Sequence, residues 1–132
     1  MSRQRNDKST NTEFSNWLYE CGFESTCVNN IDFLVVNYEK KKFMLIEEKR
    51  HMSTLSFSQK SSFKILHGMC ETGTFEDYKY CGFHKLVFQN TSPKDGRIWY
   101  DDIEIPEEKL LEIFTFNAAD IYYQTLPTFK NL

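Results

Sequence analysis

An α/β domain with a mixed β-sheet flanked by helices is predicted by three features of the 132-residue chain. Two runs rich in β-branched and aromatic residues, at 31–37 and 42–50, are joined by a short polar stretch and read as a hairpin. Helical patterns stand before this hairpin, between it and a third apolar run at 80–89, and after the last strand. The order helix, two or three strands, helix, strand, strand, helix suits such a sheet. Hydrophobic content of 40%, with 12 Phe and 7 Tyr, supplies one core but not two.

Residues 1–11 are polar and expected to be flexible, leaving 12–132 as the single domain. Thr12 is a plausible N-cap for a first helix. Phe14, Trp17, Leu18 and Cys21 follow at i, i+3, i+4 and i+7, an apolar face suited to packing on a sheet. Gly22 stands where a left-handed C-cap ends a helix. A short strand around 24–28 is an additional candidate before the hairpin, whose polar turn covers 38–41.

Ser56 or Ser58 can cap a second helix running to about Met69. The strand at 80–89 carries Phe83, Leu86, Val87 and Phe88, and the Ser, Pro, Asp and Gly of 91–96 make a loop. Residues 97–105 read as another strand. Pro106, with Glu107 and Glu108 behind it, opens a third helix with Pro at its first position and acids in its first turn. The last dozen residues are aromatic but irregular and give no assignment.

No apolar run approaches the roughly 18 residues of a membrane span. The polar N-terminus lacks the apolar core of a secretory signal, so an intracellular protein is expected. Cys21, Cys27, Cys70 and Cys81 form no CxxC pair and do not match a structural zinc site. They read as reduced, buried, small apolar residues. The net charge of −3 argues against a general nucleic-acid-binding surface, although a bound divalent cation offsets acidity where a phosphate must sit. Basic residues do cluster locally: Arg3, Arg5 and Lys8; Lys40, Lys41 and Lys42; Lys60 and Lys64; Lys94 and Arg97.

The end of the hairpin carries the chemistry. Alternation sets Phe43, Leu45, Glu47 and Lys49 on one face of the second strand and Met44, Ile46, Glu48 and Arg50 on the other. A buried strand ending abruptly in charges is where α/β proteins tend to build sites. A turn near 38–41 implies paired positions summing to about 79, which sets Asp32 opposite Glu47, with Cβ atoms about 4.5–5.5 Å apart. Two carboxylates that close repel unless a cation bridges them, and Mg²⁺ accepts one or two while keeping positions for water and phosphate. Lys49 points into the same place, where its ammonium can hold water or neutralise charge on phosphorus-bound oxygens. On the second helix, Phe63, Leu66 and Cys70 fall within about 40° of Gln59, so this amide sits in the face that covers the sheet and needs a partner.

Asp32, then Glu47, Glu48 and Lys49, then Gln59 on the following helix resemble the PD-(D/E)XK nuclease superfamily, over about residues 12–89. That family includes restriction enzymes, Holliday-junction resolvases and recombination nucleases. The resemblance implies a restriction-endonuclease-like core and a Mg²⁺- or Mn²⁺-dependent phosphodiesterase acting on nucleic acid, DNA before RNA. It implies Asp32 and Glu47 as metal ligands with the backbone carbonyl of Glu48, Lys49 as the catalytic lysine, and Gln59 as the polar helix residue. Glu13 matches the first-helix acid of resolvase-like members, though it lies at the edge of that helix's apolar face. No Pro precedes Asp32, where Asn30 and Ile31 stand instead. The resemblance also implies a viral or mobile-element origin, where small stand-alone members are common.

Little surface remains for sequence-specific reading, so a structure-selective or non-specific endonuclease is expected, with a homodimer as the assembly that offers two cuts. An endoribonuclease with the same site, and an inactive nucleic-acid- or protein-binding module, stay open. Lys40, Lys41, Lys42, Lys60, Lys64 and Arg97 are the candidate phosphate contacts. Trp99 and Tyr100 can stack on bases or pack in the core. His51, His67 and His84 are isolated and take no role, although His51 follows the motif closely enough to touch a substrate. Without a site, 47–50 reads as a solvated strand end held by weak ion pairs.

Overall fold

The computed structural model describes residues 13–22 and 29–124, and its element order is close to that expectation. Helix α1 (Glu13–Cys21) precedes a hairpin of β1 (Phe33–Asn37) and β2 (Lys42–Lys49). Helix α2 (Phe57–Thr72) leads to β3 (Lys79–Phe88), then β4 (Ile98–Tyr100), β5 (Ile103–Ile105) and α3 (Glu107–Phe114), with a 3-10 turn at Asp120–Tyr123. The five strands form one sheet in the order β1-β2-β3-β4-β5. All neighbours are antiparallel except β2 and β3, which run parallel and therefore need the α2 crossover between them.

Alternation along β2 divides the core. Leu45 joins Leu55, Phe63 and Phe83 under α2, whereas Met44 and Ile46 join Leu86, Ile98, Tyr100, Leu110 and Ile113 on the α3 side. In β3 the alternation is kept by a bulge. Phe43 pairs with Tyr80 but Leu45 with Phe83, so β3 uses one residue more than β2 over that step. Gly82, at φ 99°, supplies the left-handed backbone that this extra residue requires.

Several expectations are corrected. The strand expected at 97–105 is two short strands joined through Asp101 and Asp102, both left-handed at φ 51° and 70°. Asp101 holds this turn to β3: its carboxylate lies 2.7 Å from Nδ1 of the fully buried His84 and accepts the Lys85 N–H at 2.9 Å. Tyr100 is core, only 2% exposed, so it cannot stack on a base. Pro106 is the N-cap of α3, one position before the helix proper.

Helix α1 ends at a left-handed Gly22 as expected, but its apolar face joins neither core cluster. It buries no residue, and Phe14 and Trp17 stack on each other while remaining 65% and 54% exposed. The faces over β2 and β3 are already covered by α2 on one side and α3 on the other. Cys21 is exposed rather than buried, Cys70 is half-buried, Cys81 is buried, and all three are free thiols. The candidate strand at 24–28, the polar segment 1–11, the Thr12 cap and Cys27 lie outside the described residues. Among the described residues no helix is long and apolar enough to cross a membrane.

Candidate functional site at the carboxyl end of β2

The pairing Phe33↔Ile46 gives the predicted sum, and its continuation sets Asp32 beside Glu47 at the last position before β1 begins. One Asp32 oxygen accepts the backbone N–H of Glu48 at 2.9 Å. A strand residue turns its N–H and C=O toward the same neighbour, so the carbonyl of Glu48 also opens toward Asp32. The side chain of Glu48 leaves on the opposite face, where it accepts from Nε of Arg50 at 2.8 Å.

Glu47 and Lys49 share the face covered by α2, and Gln59 reaches both. Its amide Nε2 donates to Glu47 Oε2 at 3.2 Å, and its Oε1 accepts from Lys49 Nζ at 2.9 Å. Lys49 Nζ is 3.7 Å from the same Glu47 oxygen. Gln59 is also the third residue of α2 and closes a capping box with Ser56, each accepting a backbone N–H from the other at 3.1 Å. The helix cap therefore fixes the height at which the amide meets the sheet. These side chains line an open cleft of about 620 Å³, joined by Asn29, Asn30, Arg50, His51 and Ser53.

Electrostatically the centre of the cleft is Glu47. Only 3% of it is exposed, and its Oε1 is buried without a hydrogen-bond partner. Burial pushes its pKa from 4.5 to about 7, the Asp32 charge adds to the rise, and Lys49 opposes it. A buried carboxylate with one satisfied oxygen and one orphan has a place for a further donor or a cation.

Other expected site residues are not brought together. Glu13 lies on the exposed α1 and is not among the residues lining the cleft. Lys40, Lys41 and Lys42 sit at the opposite end of β2, roughly 20 Å away along the strand. Lys40 donates to the carbonyl of Phe116 at 3.0 Å and to the side chain of Asn117, a cation at the negative end of α3, and Lys41 lies 3.5 Å from Asp77. Arg97 is engaged by Glu104 at 2.6 Å and lies over the Trp99 ring. Lys60 and Lys64 are on α2, half-buried, and outside the cleft lining. Among the described residues no group of three or more His, Cys, Asp or Glu converges.

Two features were not anticipated from sequence. Asn29 Nδ2 donates to Ser62 Oγ at 2.6 Å and to Ser58 Oγ at 3.3 Å, lacing the approach to Asp32 onto α2. Asn29 and Asn30 before a strand carry no periodic signal, so only the serine spacing on α2 hinted at a polar seam. The second is the turn after Lys49, where His51 and Met52 both take positive φ. Compared with family models, curated proteins and solved structures, the chain matches none.

Proposed function

We propose that this chain is a Mg²⁺- or Mn²⁺-dependent nuclease of restriction-endonuclease-like build, hydrolysing phosphodiester bonds in DNA with little sequence preference. The observation that carries this reading is the orphan oxygen of Glu47, buried beside Asp32 at the floor of an open cleft. Two adjacent carboxylates, one desolvated, suit a hard divalent cation, and the donor set of carboxylates and a carbonyl is oxygen-only. Asp32, Glu47 and the backbone carbonyl of Glu48 would hold it. When bound, such an ion supplies a water of lowered pKa and neutralises phosphate charge. Lys49 then has the task of orienting the attacking water and countering charge at phosphorus, while Gln59 holds the Lys49 ammonium at 2.9 Å.

The test uses labelled duplex, branched and single-stranded DNA, and RNA, incubated with the protein in Mg²⁺, Mn²⁺ or EDTA. Cleavage is expected with either ion and abolished by EDTA, and Asp32→Ala and Lys49→Ala are each expected to lose about a hundredfold or more. Cutting that survives in both variants would overturn the site. Preference for RNA would make the chain an endoribonuclease with the same residues. A second reading, an inactive binding module for a protein partner, is favoured by one observation, the exposed aromatic face of α1, and gains support if nothing is cut.

A further inference from the structure

The turn that follows Lys49 combines left-handed backbone with a tie to the end of β3. His51 and Met52 are both left-handed, at φ 54° and 61°. Neither is Gly, Asn or Asp, and a left-handed residue with a Cβ costs about 1–2 kcal/mol. Their N–H groups turn away from the cleft into the exit of β3, His51 N–H to Asn90 O at 2.9 Å and Met52 N–H to Phe88 O at 3.1 Å. Ser53 closes the loop by giving both its N–H and its hydroxyl to the carbonyl of Arg50, at 3.0 and 2.8 Å. The backbone donors of the turn are thus consumed on the sheet side, and the imidazole of His51 is left on the cleft side. It is exposed, lines the cleft with Asp32, Glu47 and Lys49, and among the described residues makes no side-chain hydrogen bond or ion pair.

We propose that the strained Arg50–Ser53 turn exists to present His51 as a substrate contact, its ring N–H donating to a backbone phosphate of the nucleic-acid strand next to the bond that is cut. This rests on the nuclease reading above. The chemistry suits the position: an imidazole offers a directional N–H donor to a phosphate oxygen. Its short, two-torsion side chain on a turn tied to β3 loses little freedom on binding.

The backbone conformation supplies a clean variant. His51→Gly removes the ring and suits the left-handed conformation, so the turn is expected to keep its shape and the thermal midpoint to hold or rise. His51→Asn keeps an N–H donor and also tolerates left-handed backbone. In steady-state cleavage of labelled DNA with Mg²⁺, His51→Gly is expected to raise KM about tenfold or more, with kcat falling far less, and His51→Asn to recover part of the loss. A His51→Gly enzyme with wild-type KM on every strand the wild type cuts would overturn this inference while leaving the nuclease reading intact. A His51→Gly enzyme with a lowered thermal midpoint and matching losses in KM and kcat would overturn it as well, by making the ring a structural group. Wild-type protein that cuts nothing would overturn the nuclease reading, and this contact with it.

Discussion

Glu47 is the side chain on which the site's electrostatics turn. Its carboxyl is pushed from 4.5 to about 7 first by burial and then by the charge of Asp32. A raised acid pKa means that between those values the folded chain holds a proton that the unfolded chain has released. Stability of the metal-free protein must therefore fall as pH rises from about 4.5 to about 7, and stay low above that. The loss has an upper bound of roughly 3–4 kcal/mol. Urea unfolding in EDTA at pH 5 and pH 8 is expected to record it, and Glu47→Gln, which carries no charge at either pH, to flatten it. Added Mg²⁺ or Mn²⁺ acts with the opposite sign, because the ion competes with the proton and binds more tightly as pH passes 7. A wild-type midpoint equal at both pH values would show that Glu47 is not desolvated as described.

Helix α2 carries two tasks through one residue. Gln59 closes the capping box with Ser56 and bridges Glu47 to Lys49. Ser56→Ala and Gln59→Ala are each expected to lower stability by about 1 kcal/mol, since each removes half of the cap. Only Gln59→Ala should also lower cleavage, by about tenfold or more, because it alone releases Lys49; equal cleavage by the two variants would reduce Gln59 to a cap. This double use explains what could be read in the sequence. Gln59 fell on the apolar face by helical period, Glu47 and Lys49 shared a face by strand alternation, and Asp32 met Glu47 through the turn length, all of them short-range regularities. What could not be read depends on contacts distant along the chain or on left-handed backbone at residues other than glycine. Lys40 is drawn to Phe116 across a separation of 76 positions. Asp101 and Asp102 make a left-handed turn without the glycine that marks one. The period of α1 defined an apolar face but not a neighbour, and the sheet faces it was expected to cover belong to α2 and α3.

On the proposed nuclease reading, the charge on the protein as a whole bears on how nucleic acid would be held. The net charge is −3, and most described basic side chains away from the cleft already have acidic or carbonyl partners. Lys41 meets Asp77, Lys85 meets Asp102, Lys94 meets Glu107, Arg97 meets Glu104, Lys109 meets Glu112, and Lys40 meets the end of α3. Such exposed pairs are individually weak, but a phosphate must displace the acid before using the base. Lys42, Lys60, Lys64 and Lys79 enter no ion pair among the described residues, and these four, divided between α2 and the far end of the β2–β3 pair, supply only a small part of the counterion release that usually drives DNA binding. On that reading affinity is expected to come chiefly from the cleft, where the two carboxylates would repel phosphate until a cation lies between them. Fluorescence anisotropy of a labelled duplex is the direct measurement, with Lys49→Ala used so that the DNA survives. In EDTA the dissociation constant is expected to be weaker than about 10 µM, with a shallow dependence on monovalent salt. Mn²⁺ is expected to tighten it at least about tenfold, and Asp32→Ala in the same background to cancel that gain. Tight binding in EDTA with a steep salt slope would place the phosphates on a basic surface instead, and would separate DNA binding from the Asp32–Glu47 cleft altogether.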